Sequence, residues 1–308
     1  MIPLADVALF PDQASTVAPS VDHLYYFIIG TTVGVSTIVA VLVIYFAIRY
    51  RRRSETPPKP IVGSLLLESL WSGIPLAIVL VMFGWAARVY FEVVTPPQDA
   101  IEVFVVGRQW MWTVQHREGQ REKNELHVPV GKPIKITLAS EDVIHSFFVP
   151  DFRVKQDAVP GRYTHMWFQA TKPGRYRLYC AEYCGTEHSK MIGWVVVQDP
   201  AEYEEWLASR ADLSMALRGR QLFLRFQCVT CHSADSQAKA PVLEAIYNRP
   251  VRLQDGTVLP AANDDYLRES ILNPPAKVVA GYQPIMPTFQ GVVTEDELLQ
   301  LIGFIKSL

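Results

Sequence analysis

Between residues 180 and 191 the chain gathers two thiols, an imidazole, a thioether and a carboxylate: Cys180, Glu182, Cys184, His188 and Met191. Thiolate, imidazole and thioether are the soft-to-borderline donors that copper selects. Cys180 and Cys184 lie four apart, and His188 and Met191 follow at four and three. An alternating stretch ending Arg175-Tyr176-Arg177-Leu178-Tyr179 leads in, and Ile192-Gly193-Trp194-Val195-Val196-Val197 leads out. Both read as strands, so the donors are predicted to sit on the loop between them. A disulfide between Cys180 and Cys184 is the ordinary alternative in an oxidising compartment. The other two cysteines, however, occur as Cys228-Val229-Thr230-Cys231-His232, the attachment pattern for a c-type haem. All four cysteines then fall into two cofactor pairs.

The run Cys180-Ala181-Glu182-Tyr183-Cys184-Gly185-Thr186-Glu187-His188-Ser189-Lys190-Met191 resembles the binuclear copper (CuA) loop of subunit II of haem-copper cytochrome c oxidases. That family's pattern is Cys-x-Glu-x-Cys-x-x-x-His-x-x-Met, with a second histidine upstream, and Ser140-Glu141-Asp142-Val143-Ile144-His145-Ser146-Phe147 supplies it. The resemblance implies that Cys180 and Cys184 bridge two coppers and that His145 and His188 each bind one. Met191 would be a weak ligand, and Glu182 would ligate through its backbone carbonyl. The Glu182 carboxylate would point toward a magnesium site shared with subunit I. Ala181 stands where the family usually has serine, a position that touches no ligand.

These motifs need a membrane anchor and two folded domains to hold them. Residues 1–22 form a polar, proline-containing tail with no Lys or Arg; it lacks the basic region of a signal peptide. Residues 24–48 carry no charge over twenty-five positions, enough to cross a bilayer. Arg49, Arg51, Arg52 and Arg53 follow at once, and 69–87 is a second uncharged run of nineteen containing Pro75. Neighbouring helices can satisfy the carbonyl that such a proline frees. Residues 23–95 are therefore predicted to be a transmembrane hairpin. Its connection, with the four arginines and Lys59, is expected on the cytoplasmic side, leaving both termini and both redox domains outside. Glu68, at the cytoplasmic start of the second span, could simply snorkel to the interface. The segment Glu68-Ser69-Leu70-Trp71 resembles the family motif whose glutamate lies at the mouth of a proton-uptake channel.

After Pro96-Pro97 the pattern changes. Ile101-Glu102-Val103-Phe104-Val105 alternates, as do Ile134-Lys135-Ile136-Thr137-Leu138 and parts of 163–168. Short strands broken by Gly and Pro suggest a β-sandwich or barrel, and the resemblance specifies a cupredoxin-like fold for residues 96–200. Within it, Gly107-Arg108-Gln109-Trp110-Met111-Trp112 is similar to the family's Gln-Trp-aromatic-Trp run. Its first tryptophan, here Trp110, would be where electrons enter beside the copper; Met111 replaces the usual tyrosine. Val154-Lys155-Gln156-Asp157-Ala158-Val159-Pro160-Gly161-Arg162 reads alone as a charged loop ending in a turn. It resembles the stretch that faces subunit I near the haem propionates, which would turn Lys155, Asp157 and Arg162 toward that partner.

Residues 201–210 are expected to link to an all-α class I cytochrome c domain over 211–308. There Cys228 and Cys231 would hold the porphyrin by thioethers and His232 would be the proximal ligand. Gln283-Pro284-Ile285-Met286-Pro287-Thr288-Phe289 is similar to the methionine loop of such cytochromes, making Met286 the distal ligand. Met215 precedes the haem motif on a helix and is expected to pack in the core. Thr294-Glu295-Asp296-Glu297 forms a capping box before a closing helix. With nine basic and ten acidic residues over 211–308, this domain lacks the basic surface of a freely diffusing donor, and tethering would replace electrostatic steering. His23, His116, His127 and His165 have no motif around them.

The resulting expectation is a multidomain membrane protein: subunit II of a caa-type oxidase of the bacterial inner membrane. It would pass electrons from its covalent haem to CuA and on to subunit I, where oxygen is reduced with proton pumping. The implied partners are subunit I, subunit III, and an upstream quinol-oxidising complex or c-type cytochrome; the near-neutral net charge of −2 indicates no nucleic acid. A CuA subunit of a nitric oxide reductase and a membrane-anchored electron carrier remain the alternatives.

Overall fold

The structure, a computed structural model, describes residues 10–53, 63–209, 214–233 and 240–308; Lys59 and the first nine residues lie outside this set. The chain divides into two compact units, residues 17–95 and residues 1–16 with 96–308.

The first unit is a pair of helices, α1 (Ala18–Arg49) and α2 (Leu65–Val94). Their 32 and 30 residues carry mean hydropathies of 2.4 and 2.0 over their most apolar windows, none of which is buried inside the protein. At about 1.5 Å per residue each exceeds the roughly 30 Å of a bilayer's hydrocarbon core. Ser64 caps α2 by accepting from the Leu67 amide, and Pro75 sits inside the helix. Phe27 and Trp85 join the two, ring centroids 5.5 Å apart.

The second unit begins with two five-stranded sheets, made of β1 (Ile101–Arg108), β2 (Met111–His116), β3 (Arg121–Lys123), β4 (Glu125–Pro129), β5 (Pro133–Ser140), β6 (His145–Val149), β7 (Val154–Ala158), β8 (Thr164–Gln169), β9 (Gly174–Cys180) and β10 (Ile192–Gln198). Their orders are β3-β2-β1-β5-β8 and β4-β10-β9-β6-β7. The pairs β1/β5 and β10/β4 are parallel, and the others are antiparallel. Between the sheets Val103, Val105, Trp112, Ile136, Phe147 and Leu178 are wholly buried, as the alternation of their strands requires. Residues 10–16 run along this sandwich rather than hanging free. Ser15 bridges Ala170, and the Ala14 and Thr16 amides donate to the Asp151 and Gln169 carbonyls, both at 3.0 Å.

Helix α3 (Pro200–Ser209) covers one edge of the sandwich over most of the span expected to be a linker. Tyr203 and Trp206 pack there against His116, and Trp206 stacks on His127, centroids 4.6 Å apart. The buried Glu122 carboxylate takes both histidines, at 3.0 Å from His116 Nε2 and 2.5 Å from His127 Nδ1.

The remainder is helical: α4 (Met215–Arg225), α5 (Val229–His232), α6 (Asp264–Leu272) and α7 (Glu295–Ile305), with a small hairpin of β11 (Val251–Arg252) and β12 (Val258–Leu259). Thr294 and Glu297 form the expected capping box on α7, and Met215 is buried in the core. A Cβ on Gly219 would sit 1.9 Å from the Gln300 carbonyl oxygen, so α4 and α7 touch backbone to backbone there. The helical domain lies on the outer face of the first sheet: Phe104, Val106, Ala139 and Tyr163 share one apolar cluster with Leu222, Leu298 and Ile302.

Candidate metal and haem centres

Strands β9 and β10 pair through Tyr179 and Ile192, which pinches their connection into a compact loop, and β6 lies beside β9 with Phe147 opposite Cys180. This register brings His145 to the loop. Cys180 and Cys184 Sγ lie 3.7 Å apart. His145 Nδ1 is 4.0 Å from Cys180 Sγ, and His188 Nδ1 is 3.4 Å from Cys184 Sγ. Met191 Sδ is 3.8 Å from Cys184 Sγ, and the Glu182 carbonyl oxygen is 3.2 Å from Cys180 Sγ. All six positions read from the sequence thus converge. Glu182 itself is exposed, so its carbonyl turns inward while its side chain stays at the surface.

Both cysteines are free and buried, at a separation far beyond the roughly 2.05 Å of a disulfide. Burial pushes the Cys180 thiol up, but hydrogen bonds from His145 and the neighbouring backbone outweigh it and bring it down to about 6. Burial and then the adjacent Cys180 push Cys184 up to about 12. One proton leaves this pair readily, whereas the second is held against a like charge. A cation between the sulfurs relieves that repulsion. The donor set therefore fits a pair of soft cations of the copper class.

Several residues that the sequence reading left without a role hold this set in place. Asp142 Oδ1 lies 2.8 Å from His145 Nε2, which leaves Nδ1 to face the sulfurs. Asp142 is itself fixed by the amides of Gln109 and Val143, at 2.8 and 2.7 Å. A Cβ on Gly107 would meet His145 Cδ2 at 2.9 Å, so the imidazole occupies space that only glycine leaves. Gly185 has φ +118, and a Cβ there would meet Gln109 Nε2 at 2.8 Å. The only sequence signals for these were an acid three residues before a candidate ligand and one glycine in each of the runs 107–112 and 180–191.

Trp110 is half-buried and donates from Nε1 to the Cys184 carbonyl at 3.3 Å, beside Gln109 Nε2 at 2.8 Å from the same oxygen. Lys155, Asp157 and Arg162 are exposed on and after the edge strand β7. Asp157 Oδ1 accepts from Ser146 Oγ at 2.7 Å, next in sequence to His145. Glu68 lies in the first turn of α2.

In the helical domain a left-handed Gln227, φ 59, separates α4 from the single turn of α5. The turn closes with the Cys231 and His232 amides on the Cys228 carbonyl, at 3.2 and 3.0 Å, which sets both thiols and the imidazole on one cavity. That cavity, of about 350 Å³, is walled by Phe226, Leu243, Leu267 and Phe289, with Cys228, Cys231 and His232 on its lining and Met286 among them. His232 Nδ1 donates to the Pro241 carbonyl at 2.8 Å, which leaves Nε2 free for a metal. An apolar cavity with two thiols, one oriented imidazole and one thioether fits a covalently bound haem.

Three family models match separate stretches: cytochrome c oxidase subunit II transmembrane domain over residues 4–87, its periplasmic domain over 120–199, and cytochrome c over 216–308. Cytochrome c oxidase subunit 2 of Thermostichus vulcanus is 33% identical over 64% of this chain and 77% of its own length. The subunit 2 of Alkalihalophilus pseudofirmus is 27% identical over 88% of this chain and 82% of its own. The crystal structure of the periplasmic domain of subunit II of cytochrome oxidase from Bradyrhizobium japonicum covers 38% of this chain and 96% of its own, at 30% identity and a TM-score of 0.37. Two apolar helices, a cupredoxin-like sandwich with converging sulfur and imidazole donors, and a haem-type cavity occur here in the order those families have them, and the chain belongs to the cytochrome c oxidase subunit 2 family, with a cytochrome c domain joined to it.

Proposed function

We propose that this chain is the membrane-anchored subunit through which electrons enter a terminal haem-copper oxidase. Cys228, Cys231, His232 and Met286 would hold a covalent haem c, and His145, Cys180, Glu182, Cys184, His188 and Met191 a binuclear copper centre. When bound, these groups would supply two one-electron sites from which electrons would pass to subunit I for the proton-pumping reduction of oxygen. The observation that carries the reading is the coexistence of both donor sets in one chain. A second sulfur and imidazole cluster in the same chain as a haem-type cavity has no use in a non-redox binding module.

The protein's own residues prepare both sites. Asp142 orients His145, and the Pro241 carbonyl orients His232. Burial of the two thiols excludes water that would otherwise compete for the metal. Trp110, bonded to the Cys184 carbonyl, is the proposed point where electrons from an external donor, a c-type cytochrome or quinol-oxidising complex, would enter. The exposed Glu182 carboxylate would reach a magnesium ion at the subunit I interface, and Lys155, Asp157 and Arg162 would face the same partner. Glu68 would sit at the proton-uptake side of the membrane. Subunit III completes the expected assembly.

Orientation follows from the arginines after α1, which favour a cytoplasmic connection. It is supported by residues 10–16, which bond to the sandwich (Ser15 to Ala170). The chain that leaves that domain into α1 must return to it after α2, so the pair crosses an even number of times. Both redox domains would then face the periplasm of a bacterial cell membrane.

Optical and EPR spectra of the full chain, made with haem attachment and loaded with copper, test the reading. A c-type haem spectrum with a mixed-valence signal from two coupled coppers is expected. Haem accompanied by a single-copper signal would overturn the ligand set.

A further inference from the structure

The two domains meet along a seam with two flanks, and the flanks lead to different places. On one flank Lys306 Nζ lies 3.4 Å from Glu102 Oε2 and 3.2 Å from Asp264 Oδ2. Close by on the same sheet, Gln115 Nε2 donates to Asp296 Oδ1 at 2.6 Å, and Arg121 pairs with Asp296. These contacts reach the sandwich at Glu102, Gln115 and Arg121, none of which bonds a residue of the proposed copper set.

On the other flank the hydrogen bond between the domains comes from Arg268, on α6. Its Nη1 donates to the Gly161 carbonyl at 2.9 Å. Its guanidinium lies 5.6 Å from the Tyr163 ring centroid, and Glu295 pairs with its other nitrogen. The side chain is 11% exposed, and its planar fork engages all three partners at once. Immediately before it, Leu267 lines the haem cavity. Immediately before Gly161, Pro160 bridges Ser140. Ser140 Oγ accepts from the Asp142 amide at 3.3 Å, and Asp142 holds His145 Nε2 at 2.8 Å. From the wall of the haem cavity to the first imidazole there is thus an unbroken run of packed and hydrogen-bonded groups. Trp110 is not part of it; its indole is bonded to the Cys184 carbonyl instead.

We propose that Arg268 is the positioning residue that seats the cytochrome domain against the loop 140–145, so that the tethered haem communicates with the copper centre from the His145 side while Trp110 stays available to a separate donor. This rests on the reading given under Proposed function. The step it serves moves one electron: the haem iron is oxidised by one unit and the copper pair is reduced by one. No proton or ligand is exchanged.

The test uses the full chain with haem attached and copper bound. Two quantities are read in the parent, R268A, R268K and R252A, the last removing an exposed charge from the same domain. One is the rate of haem-to-copper electron transfer after flash reduction of the haem. The other is amide hydrogen exchange over residues 140–145 and 161–163, which needs no cofactor. Loss of a charged, buried donor is expected to slow transfer by about tenfold in R268A and to speed exchange in both stretches, with both optical signatures retained. R268K, which keeps the charge but loses the planar fork, should fall between, and R252A should match the parent. Unchanged transfer and unchanged exchange at 140–145 in R268A would overturn the proposal. If R268A does not fold, R268K decides by the same criterion. Absence of a c-type haem or coupled-copper signature in the parent would instead sink the underlying reading, and the exchange measurement would still judge the seat.

Discussion

His145 shows how much of the proposed metal site depends on residues outside its donor set. Its ring is squeezed into the space left by Gly107 and turned by Asp142, which is itself held by two amides. Asp142→Ala should leave the donors present but unoriented. A loss of copper affinity of about 10- to 100-fold is expected, read by competitive chelator titration against the parent. Gly185→Ala should do worse. It places a Cβ at a positive φ and against Gln109, so destabilisation of about 1 to 3 kcal/mol is expected, with the copper chromophore lost before the haem signal. Copper uptake should also depend on pH in a defined direction. Both sulfurs must be deprotonated to bind; the more acidic one, Cys180, sits at about 6. Below that value protons compete for both thiols, so uptake should fall steeply as pH drops from 7 to 5. A flat uptake curve over this range would contradict the assigned pair.

At the level of elements, β1 is the hinge of the design because both of its faces are buried. Val103 and Val105 face the core between the sheets, while Phe104 and Val106 face the helical domain. Alternating apolar and polar residues would have sufficed for a strand with one wet face; a near-continuous apolar run is what a doubly covered strand requires. The charged pairs around this contact are partly buried, and their energetics follow. Burial raises the Glu102 carboxyl, but Lys306 and Lys135 outweigh it and hold it below its usual range. Burial likewise opposes the charge on Lys306, but Asp264 and Glu102 raise it above its usual range. The lowered carboxyl contributes stability that is present above pH 4.5 and lost as pH falls through its folded value. The raised amine contributes stability that is present below pH 10.5 and lost as pH rises through its own. Lys306→Met should cost about 2 to 3 kcal/mol, the lower end because Lys135 still answers Glu102, measured by denaturant unfolding followed at the haem. Gly219→Ala, which drives a methyl into the Gln300 carbonyl, should cost about 3 kcal/mol or more by forcing α4 from α7.

For the whole molecule, two centres built from separate donor sets on two domains predict separable failures, even though the domains share an apolar contact. His188→Asn should abolish the copper spectrum while the covalent haem spectrum and its denaturation midpoint stay unchanged. Loss of both signals together would mean that the two domains fold as one cooperative unit. The tail adds a constraint that domain boundaries alone would not give. Residues 10–16 bond along the sandwich, so the stretch before α1 and the strands after α2 belong to one compact unit.

The order of segments was legible in the chain because each is written in local chemistry. Uncharged runs mark the spans, period-two alternation marks β5 and β9, apolar runs mark β1 and β10, and two Cys-His motifs mark the centres. The six copper-type donors and the four haem-type ones were named from spacing and resemblance, and the structure brings each set together. The partners that orient them were not legible. Asp142, Gly107 and Gln109 act across strands, and a sequence shows which residues are neighbours along the chain, not which strands become neighbours in a sheet. The same limit applied to α3, whose composition is helical but whose stacking of Trp206 on His127 depends on where the sandwich edge lies. It applied again to Arg268, an ordinary helical arginine until the domain packing puts it on Gly161. Donors identify themselves by type because the chemistry of coordination is local; what holds them depends on long-range packing, which only the folded chain decides.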